Sequence, residues 1–178
     1  MSTDPTREIP ALFIPDDSAP TQPITEVTVP FPPSSLEFNT VICQLLKCPE
    51  RVAETLYSED LLAVYEGNAK GFPPKQKFYV YDVYMDDAGN STRSCNTRAA
   101  QLLLLPKSYG PMLIVKGVCV KDTEISELRV VDQEPLSERE LASSSFQEKR
   151  RTFIEKQNAY KKRLFDLYQN EGFTVISS

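Results

Sequence analysis

The sequence predicts an α+β protein: a small, mostly antiparallel sheet with short N-terminal helices and a long C-terminal helix. Residues 77–85 (KFYVYDVYM) are rich in aromatic and β-branched side chains and are followed by a turn-forming run of Asp, Gly and Asn. Met112–Lys121 is a second segment of the same kind. Over residues 137–170, apolar side chains recur instead at helical spacing. Strand and helix signals alternate without internal repeats, which indicates one mixed domain.

The first 33 residues differ in composition from the rest of the chain, because they hold eight of the 14 prolines. Proline fixes φ and removes a hydrogen-bond donor, so we expect 1–33 to be a proline-rich, extended or disordered tail. Two hydrophobic islands, 9–14 and 24–31, interrupt it. A featureless tail fits this pattern, and so does a tail that docks as an extended peptide on this domain or on a partner. The docking interpretation makes Leu12 and Phe13 candidate contact residues.

A single domain is predicted over 34–172, and it begins with two short helices. The serine pair at 34–35 can cap a first helix that runs to Lys47. A proline in the first turn favours a second helix over 49–58. Residues 61–65 fit a helix and a strand equally well.

The middle of the chain predicts three further elements. Residues 91–96 return as a strand after the turn, and Asn96 or Thr97 caps a helix that runs to residue 105. Residues 125–131 alternate in polarity and are expected to pair with the preceding strand through a tight turn.

Two capping signals mark the start of the long helix over about 137–170. Ser137 and Ser145 each precede a glutamate by three residues, which is a capping pattern. The helix therefore starts at either serine or consists of two pieces. Gly172 fits a C-terminal cap, which leaves 173–178 as a short tail.

One face of this helix carries large side chains at intervals of seven residues, with a row of bases at the same interval. Three roles fit: packing on the sheet with a solvated basic face, dimerisation or partner binding, and a basic face for nucleic acid or an acidic partner. A strict coiled coil is disfavoured, because the companion positions Arg150 and Gln157 are polar. The apolar row comprises Phe146, Phe153, Tyr160 and Leu167, joined by Leu164, and the basic row comprises Lys149, Lys156 and Arg163.

Charge is distributed unevenly along the chain. The whole chain has a net charge of −5, but residues 146–178 carry +3 and the remainder carries −8. An acidic body argues against binding nucleic acid or a membrane through that body. Glu148 and Glu155 also interrupt the bases of the helix. Any nucleic-acid binding is therefore expected at the helix alone.

The chain contains no histidine, which excludes Ser–His–Asp and Cys–His catalysis and every His-ligated metal site within it. Its four cysteines have the wrong spacing for zinc, and Asp86, Asp87 and Asn90 lack the spacing of a calcium loop. Residues 67–71 lack the ending of a phosphate loop. Cys95 has flanking arginines but no identifiable base. We therefore predict no cofactor, metal or catalytic residue, while an active site built on carboxylates or lysine stays an open alternative.

Cysteine content and hydropathy predict where the protein resides. Four cysteines are too few for a disulfide scaffold, which favours reduced thiols. The apolar runs are far shorter than the roughly 18 residues that a membrane span needs, and no secretory signal is visible. The sequence predicts a cytoplasmic or nuclear protein that does not enter a membrane.

These observations predict a non-catalytic intracellular protein–protein interaction or adaptor module, homodimeric through the C-terminal helix in one version. The alternatives are a nucleic-acid-associated protein that uses the basic helix, and a small histidine-independent enzyme. The predicted interface residues are Leu12, Phe13, Phe146, Phe153, Tyr160 and Leu164. The predicted basic face comprises Lys149, Arg150, Lys156 and Arg163.

Overall fold

The computed structural model describes residues 7–31, 35–49, 55–56, 78–86, 92–121 and 128–170. All pairings between its strands are antiparallel, which confirms the predicted α+β class. The elements are β1 (Glu8–Ile14), β2 (Thr25–Pro30), α1 (Leu36–Leu46), β3 (Thr55–Leu56), β4 (Phe78–Tyr84), α2 (Thr97–Leu103), β5 (Met112–Lys121), β6 (Leu128–Glu134), α3 (Glu138–Leu141) and α4 (Ser144–Asn170).

Strand β5 lies at the centre of the sheet. The six described strands follow the order β2–β1–β5–β4–β3, and β6 also pairs with β5. One edge of β5 pairs with β4 over residues 113–119. The other edge is shared, because β1 pairs with residues 112–114 and β6 with residues 116–121. Since β1 and β6 follow each other along this edge, β5 is hydrogen-bonded on both sides over most of its length.

Both faces of the sheet are covered, because successive residues of a strand point to opposite faces. Met112 and Ile114 belong to a buried cluster that includes side chains of α2, α3 and the first turn of α4. Leu113 and Val115 belong to a second cluster, which includes α1. The short helices and the start of α4 therefore form one outer layer, and α1 forms the other.

Strands β1 and β2 lie within the predicted tail of residues 1–33, which corrects that prediction. The two strands form an antiparallel hairpin, and β1 also pairs with β5. Leu12 and the other apolar residues at the end of β1 are buried. Pro10 lies outside the part of β1 that pairs with β5, and Pro30 ends the edge strand β2. A missing N–H is tolerated at such positions. The segment is extended, as predicted, but it belongs to the folded domain.

Polar side chains at the start of α2 fasten the connection between β1 and β2. Asn96 is fully buried, and its amide nitrogen donates to two backbone carbonyls at 3.2 and 2.8 Å. Arg98 donates to several backbone carbonyls of the loop 15–22. The Asp17 carboxylate accepts from the backbone N–H of Thr97 at 3.1 Å and from its hydroxyl at 2.6 Å. These bonds hold the N-terminal hairpin against the body.

The first predicted helix is present as α1. The Ser35 hydroxyl accepts from the N–H of Phe38 at 3.1 Å, and the helix ends where Lys47 adopts a left-handed conformation (φ 53°). The second predicted helix, 49–58, is wrong at Thr55–Leu56, which form β3 at the edge of the sheet. Pairing with β4 outweighs local propensity there. The other residues of that helix from 50 onward, and residues 61–65, lie outside the described residues.

Helix α2 follows the predicted cap. The Asn96 side-chain oxygen accepts from the N–H of Ala99 at 2.9 Å. The helix ends at Leu103 rather than at residue 105, because Leu104 adopts a left-handed conformation (φ 53°). The backbone N–H at this cap donates to the carbonyl of Ala100, and such a bond at a left-handed residue commonly ends a helix.

Two strand predictions shift in this region. In the described part of 91–96 there is no strand, only a single bridge between Cys95 and Tyr109. β6 (Leu128–Glu134) pairs antiparallel with β5 as expected and ends three residues beyond the predicted end at 131, while residues 125–127 of the predicted strand lie outside the described residues. The later end shows that alternation alone sets a strand's boundaries poorly.

The C-terminal helix consists of two pieces. The Ser137 hydroxyl accepts from the N–H of Glu140 at 3.2 Å and caps α3. Ser143, and not the predicted Ser145, caps α4, since its hydroxyl accepts from the N–H of Phe146 at 3.2 Å. With 27 residues, α4 is ~40 Å long, which exceeds the ~30 Å diameter of a small domain. Among the described helices, none is both long and apolar enough to cross a membrane.

Candidate interaction surface

The first turns of α4 are anchored in the domain. Phe146 is buried, and its ring meets the ring of Tyr81 edge-on, with centroids 5.2 Å apart. The Gln147 side-chain nitrogen donates to the carbonyls of Leu102 and Leu141, each at 2.7 Å. These contacts with β4, α2 and α3 fix the direction in which α4 leaves the domain.

Arg150 completes the anchored part of α4. Only 1% of this residue is exposed, and its Nε donates to the carbonyl of Leu103 at 2.9 Å. Its guanidinium lies 5.8 Å from the ring centroid of Phe153. Nη1 is buried without a hydrogen-bond partner, and burial lowers the pKa of Arg150 to about 10. Arg150 therefore belongs to the interior and not to the predicted basic face, because its charged end points at the C-terminus of α2.

Beyond Phe153, the apolar row continues on a part of α4 that projects from the domain. We call Tyr160, Leu164 and Leu167 the outer stripe. Every residue from 155 to 169 is exposed except the half-buried Gln157 and Leu164. Contiguous exposed apolar side chains are uncommon on a monomer unless they form an interaction site. The exposed fractions of the large side chains are 63% for Tyr160, 46% for Phe165, 58% for Leu167 and 49% for Tyr168.

Bases border the outer stripe. At about 100° of rotation per residue, Lys156 and Arg163 fall along one side of the stripe and Lys161 along the other. Glu155 and Asp166 fall on the far side of the helix. All five of these side chains are exposed. The projecting half of α4 thus presents an apolar strip between two positive borders.

The structure separates the predicted site residues into internal and accessible ones. Leu12 and Phe13 are buried in β1 against this domain, which agrees with docking on the domain and not on a partner. Phe146 is buried between the sheet and α3, so none of the three is accessible to a partner. Sequence reasoning missed Leu167 as an interface residue, although the seven-residue spacing already included it. Phe165 lies off that spacing, and no sequence signal indicated its exposure. The predicted residues that remain at least partly accessible are Phe153, Tyr160, Leu164, Lys149, Lys156 and Arg163.

A partly buried ion pair links the sheet to α3. The Lys116 ammonium on β5 lies 2.8 Å from a carboxylate oxygen of Glu140 and 3.5 Å from one of Glu134. It also lies 4.0 Å from the ring centroid of Tyr79, while the Tyr81 hydroxyl donates to Glu140 at 3.0 Å. Desolvation lowers the pKa of Lys116, but the hydrogen bond and the charge of Glu140 outweigh it, so this pKa lies above its ordinary value. A lysine held in its charged form is suited to structure rather than to nucleophilic catalysis.

Of the residues considered for metal binding or thiol chemistry, Cys95 is free and exposed, whereas Asp86 and Cys48 are buried. Asp86 is buried and accepts from the Arg93 guanidinium at 2.6 Å, while Asp87 and Asn90 lie outside the described residues. Burial, followed by the neighbouring Cys43, raises the pKa of Cys48 to about 11, which keeps that thiol protonated. Within the described ranges, no group of three or more Cys, Asp or Glu side chains is arranged to hold a metal ion.

Comparison with known proteins adds one distant likeness. No protein-family model matches the chain, and no curated protein matches it. A solved structure, described as the crystal structure of small RNA methyltransferase HEN1, is similar over 72% of this chain and 15% of that chain, with 12% identity and a TM-score of 0.38. A likeness this low carries no argument about the fold or function of this chain.

Proposed function

We propose that this protein is a non-catalytic protein–protein interaction module, resident in the cytoplasm or nucleus, that binds its partner through the projecting half of α4. One observation carries the proposal. The face of α4 that packs on the domain at Phe146 continues outward as the outer stripe, where nothing in the described residues covers it. Helices that present apolar side chains at intervals of three and four residues are a common means of binding another protein.

The domain supports this use of the helix because it fixes the direction in which the helix leaves. Phe146, Gln147 and Arg150 fix the first two turns by packing and by hydrogen bonds to backbone carbonyls. A helix directed by its own domain loses little conformational freedom when a partner binds. The free, buried thiols of Cys43 and Cys48 support a reducing compartment.

A paired substitution tests the proposal. We expect Tyr160→Asp with Leu167→Asp to weaken partner binding by about tenfold or more, because each removes an apolar anchor from the centre of the strip. Asn158→Asp with Gln169→Asp adds the same charge to the far side of the same half-helix and is the matched control. Affinity capture from native cell extract and light scattering of the purified chain compare the three proteins.

We expect the wild type and the control to bind a partner or a second copy, and the variant with Tyr160→Asp and Leu167→Asp (the stripe variant) to lose that binding. All three proteins should unfold at the same temperature, since the substituted residues are exposed. Equal binding by the stripe variant and the wild type would exclude the outer stripe as the interface.

A further inference from the structure

We propose that the outer stripe binds an acidic amphipathic helix, with apolar side chains along one face and carboxylates on both borders, rather than a second copy of this chain. This inference rests on the proposed function and specifies its partner. It follows from the charges on each side of the strip and not from its hydrophobicity alone.

The bases that border the strip are only partly compensated within α4, since Asp166 lies three positions after Arg163. Lys156 and Lys161 have no acidic residue three or four positions away, the spacing at which helical side chains pair. On the far side of the helix, in contrast, Arg151 is followed four residues later by Glu155, and Lys162 is followed four residues later by Asp166. Each side of the strip thus keeps one base, Lys156 or Lys161, without an acidic neighbour on the same helix.

A second copy of α4 fits this strip poorly. When two helices pack along apolar rows, the residues bordering one row meet the borders of the other. In a parallel pair, Lys156 of one copy approaches Lys161 of the other. In an antiparallel pair, Lys156 and Arg163 approach each other across the axis. Like charges meet in both orientations, and like-charge contacts disfavour association.

An acidic helix satisfies the same positions. Its carboxylates meet Lys156, Lys161 and Arg163 at the borders, while its apolar residues cover Tyr160, Leu164 and Leu167. The acidic body of the chain, with a net charge of −8 outside residues 146–178, repels such a partner from other surfaces. Binding is therefore directed to the projecting helix and is expected to weaken as salt is added.

Two synthetic three-heptad peptides test the partner's chemistry against the full chain. Both carry Leu along one face; one has Glu at all bordering positions and the other has Lys. Fluorescence anisotropy measures their binding at about 50 mM and about 300 mM salt, which spans a large change in screening. We expect the Glu peptide to bind about tenfold or more tightly than the Lys peptide, with the difference reduced at the higher salt.

Two variants of the chain complete the test. Tyr160→Asp with Leu167→Asp should abolish binding of the Glu peptide. Lys156→Glu with Lys161→Glu and Arg163→Glu should transfer the preference to the Lys peptide, which a merely misfolded variant does not do. Circular dichroism confirms that helix content is retained.

Other outcomes overturn the inference in distinguishable ways. A homodimer that dissociates on Tyr160→Asp with Leu167→Asp overturns the acidic partner and leaves the interaction module in place. Equal binding of the two peptides, or Glu-peptide binding that persists without Tyr160 and Leu167, overturns the acidic partner as well. An RNA oligonucleotide that binds more tightly than the Glu peptide through Lys156, Lys161 and Arg163 overturns both proposals.

Discussion

Arg150 shows how a residue's role depends on where its helix begins to leave the domain. The other residues of the predicted basic face are at least partly accessible, but Arg150 is buried, with Nε bonded to a carbonyl and Nη1 without a hydrogen-bond partner. No carboxylate in the described part of the chain pairs with Arg150, and such a buried cation contributes little net stability through its charge, although its stem packs well. Burial lowers the pKa of Arg150 to about 10. At every pH below that value the side chain is charged, so burying it lowers the stability of the folded state.

We predict that Arg150→Met keeps the free energy of unfolding within about 1 kcal/mol of the wild-type value. Methionine preserves the packed stem and removes the unpaired charge, which offsets the lost hydrogen bond to Leu103. Urea denaturation at neutral pH measures the difference. A loss of about 3 kcal/mol or more, the size seen when a paired buried charge is broken, would contradict this interpretation.

Lys116 is also buried, but its pKa shifts the other way, because the hydrogen bond and the charge of Glu140 outweigh desolvation. Its pKa is raised in the folded state, whereas an unfolded lysine titrates near ~10.4. The stabilisation from the ion pair is therefore fully present below the unfolded pKa. It is lost as pH rises through the folded pKa.

We predict that Lys116→Met lowers the free energy of unfolding by about 2 kcal/mol at pH 7, a moderate value because both glutamates are about one-third exposed. The difference from wild type should shrink above pH ~10.4. Urea denaturation across a series of pH values measures it. Lys107→Met, at an exposed lysine, is the control and should show no such difference. If the difference in unfolding free energy between Lys116→Met and the wild type grew as the pH became more alkaline, the assigned direction of the Lys116 pKa shift would be wrong.

At the scale of elements, the start of α4 is decided by a serine that the capping pattern did not indicate. Ser145 has a glutamate three residues later, but Ser143 makes the bond to Phe146 because α3 ends at Leu141 and a turn follows. A side chain can cap a helix only where the backbone first turns into it. The pattern in the sequence is local, whereas the turn depends on α3 packing against the sheet.

We predict that Ser143→Ala lowers the free energy of unfolding by about 1 kcal/mol, since the N–H of Phe146 loses its acceptor. Ser145→Ala should change it by no more than ~0.3 kcal/mol, because this exposed serine lies inside the helix, where alanine is favourable. Thermal and urea denaturation of the two variants provide the comparison. Equal losses in both would mean that the helix begins elsewhere.

Some elements were predictable because their signals are local. β5 has its predicted bounds, and α1 and α2 follow serine and asparagine caps that the sequence displays. β1 and β2 were not predictable in this way, because proline density suggested a tail while the apolar run 9–14 is buried by strands far away in the chain. Along α4, the spacing of aromatic and basic residues is visible in the sequence. The point at which the helix leaves the domain is set by tertiary contacts, so the burial of Phe146 and Arg150 could not be predicted from the sequence.

At the scale of the whole molecule, the N-terminal hairpin is part of the fold. We predict that Leu12→Ala lowers the free energy of unfolding by about 3 kcal/mol, the usual loss for a fully buried leucine. Leu36→Ala, at a leucine that is 81% exposed, should change it by no more than ~0.5 kcal/mol. Urea denaturation compares the pair. A Leu12→Ala variant as stable as Leu36→Ala would show that the sheet does not depend on β1.

The shared edge of β5 has a consequence for biosynthesis. Ribosomes release β1 early, yet Leu12 pairs with Ile114, and β6, which completes the same edge, follows later still. Until then the nascent hairpin has one apolar edge without a partner, which is the kind of surface that chaperones bind and that aggregates when it stays exposed. Closing the sheet requires contacts between distant parts of the chain, which slows folding. The N-terminal hairpin is therefore expected to complete its sheet only after β5 and β6 have left the ribosome.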